Sequence, residues 1–444
     1  MGIFFHKRKG VVLKISLGSD MEIVFYNVGQ GLFASGNCGS FRYVYDCGTN
    51  GLQSLLDTRI SEFAQSLGKT SAIDALIISH MHSDHTSGLD KLLSRVHVDT
   101  VYLPYLLPSE RIVIGWQGKE FLDANPWFSD FLIDPANWFL SRGVNSVVFF
   151  RQSVPENRES DSRIDNDSDS DSGPKKGTNK SDLPGASLIS QLEDDAKLMN
   201  SYLIYELSTA APANLYFKKH NNRIESQGQG SFMKFYNVCT DPYKVVALEN
   251  AVKKLSGSSQ IDQSVLKTVL KSSALRKTLK KAYENISKEL NNTSLCSLLV
   301  ARSNGDDPAG VKEGDSSNMP ALRRELGLLL TGDISLKTDN ALDEFADHYK
   351  GILNSTIVFQ VPHHGSKNNW NNRLLDKASG ALFWIASASK QCLYGHPSSN
   401  VIASVASCNR MFLWVDEENV TVFRDCDSRG NKVYISDCVV AIDG

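Results

Sequence analysis

Residues 79–90 read SHMHSDHTSGLD, and they follow directly on the apolar run IDALII. Such a run predicts a buried strand, and the residues after it predict a turn into a helix that Asp84 caps. Three histidines and an aspartate therefore fall within six positions where a buried strand stops. Neutral imidazole and carboxylate are standard ligands of zinc, manganese and iron. Their density favours a metal-binding segment over a single satisfied core histidine.

The spacing within this segment divides the four side chains between two positions. His80 and His82 are two residues apart at a strand end, so both can point to one side. Asp84 and His85 occupy the turn into the helix and can point to a second, adjacent position. The segment therefore predicts two ligands for each of two divalent ions. Because the set contains no cysteine, Mn²⁺ is as plausible as Zn²⁺.

Two later strands end in side chains of the same kind. The run LLLTGDIS ends in a strand-terminal Asp333, and IVFQVPHHGS carries His363 and His364 at its end. A carboxylate at a buried strand end can bridge two cations, whereas without a metal it would need another partner. Two metals about 3.5–4 Å apart suit in-line attack by an activated water on phosphorus or a carbonyl carbon.

The rest of the chain alternates apolar, β-rich runs with predicted helices, and two stretches break this pattern. Residues 151–183 are almost entirely polar and acidic, which predicts a disordered insertion. Residues 184–290 are expected to form a helical, basic insertion. The sequence thus predicts one domain whose two halves are 1–150 and 291–444.

The basic insertion carries its highest charge between 251 and 290, where nine Lys or Arg residues accompany three acidic ones. Its apolar residues recur at near-helical spacing, so an ordinary amphipathic helix with a solvated lysine face explains the pattern. A helix that binds a phosphate backbone explains it as well. On the second interpretation the candidate nucleic-acid contacts are Lys271, Lys277, Lys280 and Lys281.

No export or membrane signal accompanies these features. The first residues lack an apolar h-region, and no run of 18 apolar residues occurs in the chain. Apolar residues make up 41% of the sequence and charged residues 22%, which is typical of a globular protein. We therefore expect a cytoplasmic protein that is not attached to a membrane, and the sequence indicates no particular protein partner.

The motifs HxHxDH, DCG (46–48), TGD and PHHG resemble the metallo-β-lactamase fold in order and setting. More narrowly, YNVGQG, LLLTGD, VPHHGS and YGHPS resemble the metallo-β-lactamase domain of ComEC-type DNA-uptake proteins. Choline-phosphate esterases of the same fold carry similar elements. The resemblance covers roughly 20–150 and 290–440. It implies a mixed α/β fold, an αββα sandwich of two sheets packed face to face, with the active site at one edge.

The resemblance also implies a role for each matched residue. Two residues hold the first metal, three hold the second, and an aspartate bridges them: His80 and His82, then Asp84, His85 and His364, then Asp333. Asp46 lies behind the ligands and orients them. His363 and His396 stand at the rim, where they contact a phosphate or protonate a leaving group. Asp84, His363 and His396 are the residues expected to act in catalysis.

One ligand of the family pattern is missing. The superfamily usually supplies a further histidine to the first metal, and the corresponding stretch here is NNTSLCSLLV. Asn292, or its neighbour Asn291, stands where that histidine is expected, so Asn292 is the possible substitute. His220 in YFKKHNNR is the other candidate, although a histidine in a lysine-rich loop is more often a surface residue.

Together these patterns predict a dinuclear-metal hydrolase, and most closely a phosphodiesterase or nuclease that acts on DNA. Fold does not decide the substrate within this superfamily, so a small phosphodiester or an amide is an alternative. A defence or regulatory component with a purely structural metal site is an alternative from another class. The intact ligand motifs favour the enzyme.

Overall fold

The computed structural model describes residues 3–6, 12–17, 21–151, 189, 194, 213–219, 223–225, 231–238, 242–279, 294–302, 325–424 and 439–442. The strands within these residues, numbered in chain order, are β1 (Ile3–His6), β2 (Val12–Leu17), β3 (Met21–Tyr26), β4 (Phe33–Cys38), β5 (Phe41–Cys47), β6 (Ala72–Ile77), β7 (His97–Pro104), β8 (Ser146–Phe150), β9 (Leu215–Lys218), β10 (Arg223–Glu225), β11 (Phe232–Asn237), β12 (Leu295–Arg302), β13 (Glu325–Leu330), β14 (Thr356–Gln360), β15 (Phe383–Ser387), β16 (Met411–Val415), β17 (Val420–Phe423) and β18 (Val439–Ile442).

The α-helices of the described residues are α1 (Gln53–Ser66), α2 (Ser83–Thr86), α3 (Leu89–Leu93), α4 (Pro108–Gln117), α5 (Lys119–Ala124), α6 (Pro126–Ile133), α7 (Pro135–Leu140), α8 (Pro242–Ser256), α9 (Gln263–Lys271), α10 (Ser273–Thr278), α11 (Asp339–His348), α12 (Leu374–Lys377) and α13 (Ser399–Ser407). Short 3-10 turns lie at Gly68–Thr70, Leu353–Ser355 and Pro362–Gly365. Across the described ranges, none of the helices combines the length and the apolar character needed to cross a membrane.

The strands form two mixed sheets. The first has the order β1-β18-β2-β3-β4-β5-β6-β7-β8-β9, and the second runs β10 to β17 in sequence order. Neighbours from β5 to β9 are parallel, as are neighbours from β13 to β16. Parallel neighbours need crossover connections, and α1 to α7 supply them between β5 and β8. Both sheets therefore present several carboxyl strand ends at one edge.

The alternation of side chains along the strands sorts the core into three layers. Ala75 and Ile77 of β6 pack between the sheets together with Leu328 of β13. Leu76 faces the other way, into a cluster with the helices on the outside of the first sheet. Leu329 likewise lies in a third cluster, with α11 to α13 on the outside of the second sheet. The predicted αββα sandwich is confirmed.

The structure differs from the expectation for residues 184–290. The described part of this stretch contains helices α8 to α10, but it also supplies β9 to the first sheet and β10 and β11 to the second. β9 and β10 are only four and three residues long, which is too short for their side-chain pattern to predict a strand. The acidic stretch 152–183 lies outside the described residues, and its predicted disorder stays a prediction.

The helix after the histidine motif also differs from its prediction. The residue before α2 is His82, and no side chain caps this helix; Asp84 lies in its first turn. The helical stretch is interrupted, so that α3 begins only at Leu89. The side chain of Asp84 is therefore free to serve the site rather than the helix end.

Candidate metal centre

The predicted ligands come from strand ends of both sheets. His80 to His85 follow β6, and Asp46 lies at the end of the parallel neighbour β5. Asp333 follows β13, while His363 and His364 follow its parallel neighbour β14. The two edges are tied together because Leu295 donates its N–H to the Ser79 carbonyl at 2.8 Å. The fold thus brings three distant segments to one place.

Four of these residues form a compact cluster: Asp84, His85, Asp333 and His364, each with one ligand atom within 4.8 Å of the others. His85 Nε2 lies 3.2 Å from Asp333 Oδ1, and His364 Nε2 lies 3.4 Å from Asp84 Oδ2. Ligands about 2.0–2.2 Å from a tetrahedral metal stand about 3.3–3.6 Å apart. The spacing therefore fits one divalent ion, at what we name the second metal position.

The outer nitrogen of each buried histidine is held by a polar partner. His85 donates from Nδ1 to Asp46 Oδ2 at 2.7 Å, and His364 donates from Nδ1 to the Ser387 carbonyl at 2.8 Å. Their Nε2 atoms and Asp333 Oδ1 are buried with no hydrogen-bond partner among the described residues. Buried polar atoms normally have a partner, and a fixed outer nitrogen with a free inner one is the arrangement of a metal-ligating histidine. These residues fit a metal.

The first metal position is defined by His80, His82 and the other oxygen of Asp333. His80 Nε2 lies 3.8 Å from Asp333 Oδ2, and it too is buried without a hydrogen-bond partner among the described residues. The rings of His80 and His82 are 4.8 Å apart between centroids. Since Oδ1 of Asp333 faces the second metal position and Oδ2 the first, this carboxylate lies where a bridging ligand is needed.

The third ligand of the first metal position stays a prediction. Both Asn292 and His220 lie outside the described residues. The chain resumes at Ser294, whose Oγ lies 3.5 Å from His80 Nδ1 and accepts a hydrogen bond from the Asp333 N–H at 2.8 Å.

Asp46 lies behind the ligands and contacts them through hydrogen bonds. Its Oδ1 accepts from the Ser79 N–H at 2.7 Å, and its Oδ2 accepts from the Ser79 hydroxyl at 2.6 Å as well as from His85. The Ser79 hydroxyl in turn accepts from His80 Nδ1 at 2.9 Å. One buried carboxylate thus orients a histidine at each metal position.

The charges at the centre are strongly coupled. Burial alone would raise the pKa of Asp333, but three neighbouring histidines hold it well below its usual range, and His85 and His364 lower the pKa of Asp84 in the same way. Burial opposes the charge on His85 and His364, yet the surrounding carboxylates raise the pKa of both. Burial and the charge of His85 lower the pKa of His80. The field that draws protons to this centre would also attract a divalent cation.

Comparison with known proteins agrees with this geometry. Residues 39–142, which include the histidine motif, match the family model of the Metallo-beta-lactamase superfamily. Over these residues the chain carries a metallo-beta-lactamase superfamily domain. This superfamily consists mostly of metal-dependent hydrolases and generally binds divalent metals, often two zinc ions.

Two other comparisons add nothing to this assignment. No curated protein matches the chain. A solved structure titled "Peroxy diiron species of chemotaxis sensor ODP" is 20% identical over 22% of this chain and 40% of its own, with a TM-score of 0.18. The chain thus spans well under half of that protein, and a score this low supports no conclusion.

At the rim of the metallo-beta-lactamase domain, His363 and His396 lie beside the metal positions. His363 Nε2 is 3.7 Å from Asp333 Oδ2, and the His363 and His396 rings are 5.5 Å apart. His363 and His364 both adopt left-handed backbone, with φ of 47° and 55°. Non-glycine residues held this way cost about 1–3 kcal/mol each and cluster at functional sites. Burial lowers the pKa of both rim histidines, that of His396 to about 4.

Above the metal positions opens a cleft of about 800 Å³, lined by Gln30, Asn50, His82, Ser83, Asp84, Gln117, Gly118, Asp333, Ser335, His363, Ser366, Asn368, Asn369, Tyr394 and His396. Amide, hydroxyl and imidazole groups dominate. No lysine or arginine occurs among the described residues that line it. The cleft therefore suits a polar substrate whose negative charge is confined to the metal end.

None of the described residues of the lysine-rich helices α9 and α10 lines this cleft. The apolar face of α9 packs on α4 and α6, with Leu270 against Gly115. Lys271 lies 3.2 Å from Asp130 Oδ1, and Lys277 is exposed. Lys280 and Lys281 lie outside the described residues. The periodic apolar residues of α9 pack against α4. The last residue of α4, Gln117, lines the cleft.

Gln117 is a site residue that the sequence did not indicate. His82 donates from Nε2 to Gln117 Oε1 at 2.7 Å, which leaves Nδ1 as the nitrogen available to a metal. No motif surrounds Gln117, and it reaches His82 only because α4 packs beside the β6 end. Its role depends on tertiary structure alone.

Replacing Gln117 by alanine should weaken binding at the first metal position about 10- to 100-fold, because the His82 ring loses the acceptor that fixes its tautomer. Stepwise titration of metal-free protein with Co²⁺, followed by absorption, measures the two positions separately. The matched control is Gln53→Ala at an exposed position of α1. Unchanged affinity at both positions would show that Gln117 does not orient His82.

Proposed function

We propose that this protein is a dinuclear-metal phosphodiesterase and that its substrate is DNA. The observation that carries the phosphodiesterase is the placement of Asp333, whose two carboxylate oxygens face two separate histidine sets at the floor of an open polar cleft. When bound, a pair of divalent cations supplies charge for a developing oxyanion and acidifies water.

The rim residues support a phosphate at the metal end of the cleft. With its pKa near 4, His396 is neutral at pH 7, so it offers a hydrogen bond rather than a readily transferable proton. Its ring is in edge-to-face contact with that of His363, so both rings can contact one anionic group. We therefore assign His363 and His396 to contact with the phosphate. Of these two residues, His396 is the weaker candidate for protonating the leaving group.

Two arguments bear on DNA as the substrate. The finer resemblance of YNVGQG, VPHHGS and YGHPS to ComEC-type domains supports it. A small phosphodiester is the second candidate, and the cleft favours it because the described lining contains no lysine or arginine.

Turnover assays with Mn²⁺ and Zn²⁺ test the proposal. We expect cleavage of single- or double-stranded DNA and of methyl p-nitrophenyl phosphate, with no hydrolysis of a chromogenic amide. Amide hydrolysis without phosphodiester cleavage would overturn the phosphodiesterase. Stable metal binding with no turnover of any substrate would favour a structural metal site.

A lysine double variant separates DNA from the small substrate. If DNA leaves the cleft along α4, Lys271→Gln with Lys277→Gln should weaken DNA binding and flatten its salt dependence by up to ~0.9 log units per lost contact. Turnover of methyl p-nitrophenyl phosphate should stay unchanged, since that substrate is too small to reach α9.

The control for this variant removes two lysines from the opposite helical layer. Lys350 is exposed, as Lys277 is. Lys377 is ion-paired with Asp343 at 2.8 Å, as Lys271 is with Asp130. The control and test variants could show the same dependence of DNA affinity on salt concentration. Lys271 and Lys277 would then not contact DNA, and the small phosphodiester would be favoured as the substrate.

A further inference from the structure

One of the exposed large apolar side chains lines the cleft, and its neighbour in sequence is exposed as well. Five such residues are exposed in the described part of the chain, and two of them are consecutive: Leu393 is 97% exposed and Tyr394 81%. Tyr394 lines the cleft, and a third, Leu52, follows two residues after the lining residue Asn50. Leu393 and Tyr394 are too exposed to contribute to the core, and the position of Tyr394 in the cleft makes it available to a ligand.

The loop that carries Tyr394 is held in place by its own hydrogen bonds. Cys392 and Gly395 close successive turns through the Ser389 and Cys392 carbonyls. Ser389 donates its hydroxyl to Glu417 at 2.7 Å. A held turn that points Tyr394 outward offers the ring to a ligand with little further loss of conformational freedom.

The aromatic rings form a path from the mouth of the cleft to the metal positions. The Tyr394 ring centroid is 6.0 Å from that of His396, with planes inclined by 34°. His396 is 5.5 Å from His363, which contacts Asp333. A group stacked on Tyr394 therefore lies about one nucleotide away from a phosphate that the rim histidines contact.

We propose that Tyr394 is a stacking platform for a nucleobase next to the scissile phosphodiester. This inference rests on the proposed function and adds that the substrate is a single strand, because only an unpaired base offers its face to the ring. The amide and hydroxyl lining suits the polar edges of a base and its sugar, whereas an acyl chain would need an apolar floor. Aromatic rings bind bases without sequence preference, so the subsite accepts any of the four.

Binding of a phosphorothioate oligonucleotide, which resists cleavage, tests the platform by fluorescence anisotropy with metal-loaded protein. Tyr394→Ala should weaken binding about 5- to 150-fold. Tyr394→Phe should bind as the wild type does, because it keeps the ring. An abasic oligonucleotide of equal length should bind both variants and the wild type alike, since it carries the charge without the bases. Because the Tyr394 side chain is exposed, replacing it should leave the fold unchanged.

Three results would overturn the platform. The first is equal oligonucleotide binding by Tyr394→Ala and the wild type, while the wild type still hydrolyses methyl p-nitrophenyl phosphate; the proposed function would then stand without this subsite. The second is an equal loss of abasic binding in Tyr394→Ala. The third is wild-type co-sedimentation with phosphatidylcholine–phosphatidylglycerol vesicles that Leu393→Ala and Tyr394→Ala abolish, which would identify the rim as a membrane contact. Failure of the wild type to cleave any phosphodiester would instead refute the proposed function itself.

Discussion

Replacing Asp333 by alanine should lower turnover by at least about 10³-fold and metal affinity at the second position by more than about 100-fold. Asp333 is buried, and its two oxygens lie 3.2 Å from His85 Nε2 and 3.8 Å from His80 Nε2. Its loss therefore removes a ligand atom from each metal position at once. It also removes the negative charge that attracts a divalent cation to this buried centre. Metal content after dialysis, together with kcat on a phosphodiester, measures both losses.

The control for Asp333→Ala is Asp347→Ala, which removes an exposed carboxylate from α11 and should change neither quantity. Asp333→Asn adds a second comparison, because the amide keeps the volume and one oxygen but loses the charge. We expect Asn to retain one weak metal and no turnover. Wild-type metal content and turnover in Asp333→Ala would refute the bridging assignment.

The parts of this site that could be predicted from sequence share a local signature. The motif from His80 to His85 joins a strand to a helix within a few residues, so its spacing alone assigns the side chains to two neighbouring positions. Asp333 and His364 lie at the ends of apolar strands, where a buried polar group needs a partner. Such features can be recognised in the sequence without knowledge of the fold.

The parts that sequence did not predict depend on contacts between distant segments. Gln117 meets His82 across 35 residues of sequence, and only the packing of α4 brings them together. Tyr394 is set apart by its exposure, which no local pattern encodes. The apolar spacing of α9 was correctly interpreted as amphipathic, but the direction of its lysine face depended on where α4 and α6 lie. The capping role predicted for Asp84 is wrong because the helix begins at Ser83, which places Asp84 inside the first turn rather than at the residue before it.

Substituting Asp46 by asparagine should leave the fold intact and weaken the second metal position about 10- to 100-fold. Asn has nearly the volume of Asp and tolerates the left-handed backbone at this residue, where φ is 56°. Its oxygen can accept the Ser79 N–H, but its amide nitrogen then faces His85 Nδ1 and donates to it. His85 would carry its proton on Nε2, the nitrogen that the metal requires. Isothermal titration of the metal-free variant measures the loss.

Asp46→Ala should behave differently, because it removes the hydrogen-bond acceptor altogether. The buried His85 loses the partner of its Nδ1–H, and Ser79 loses the partners of its N–H and hydroxyl, at a cost of about 3–5 kcal/mol in the free energy of unfolding. Denaturant unfolding of the metal-free protein measures this cost. Asp74→Asn is the matched control, since Asp74 also accepts a backbone N–H, from Arg42 at 2.7 Å, but lies at the other end of β6. Equal metal affinity in Asp46→Asn and Asp74→Asn would show that the tautomer of His85 is set by something other than Asp46.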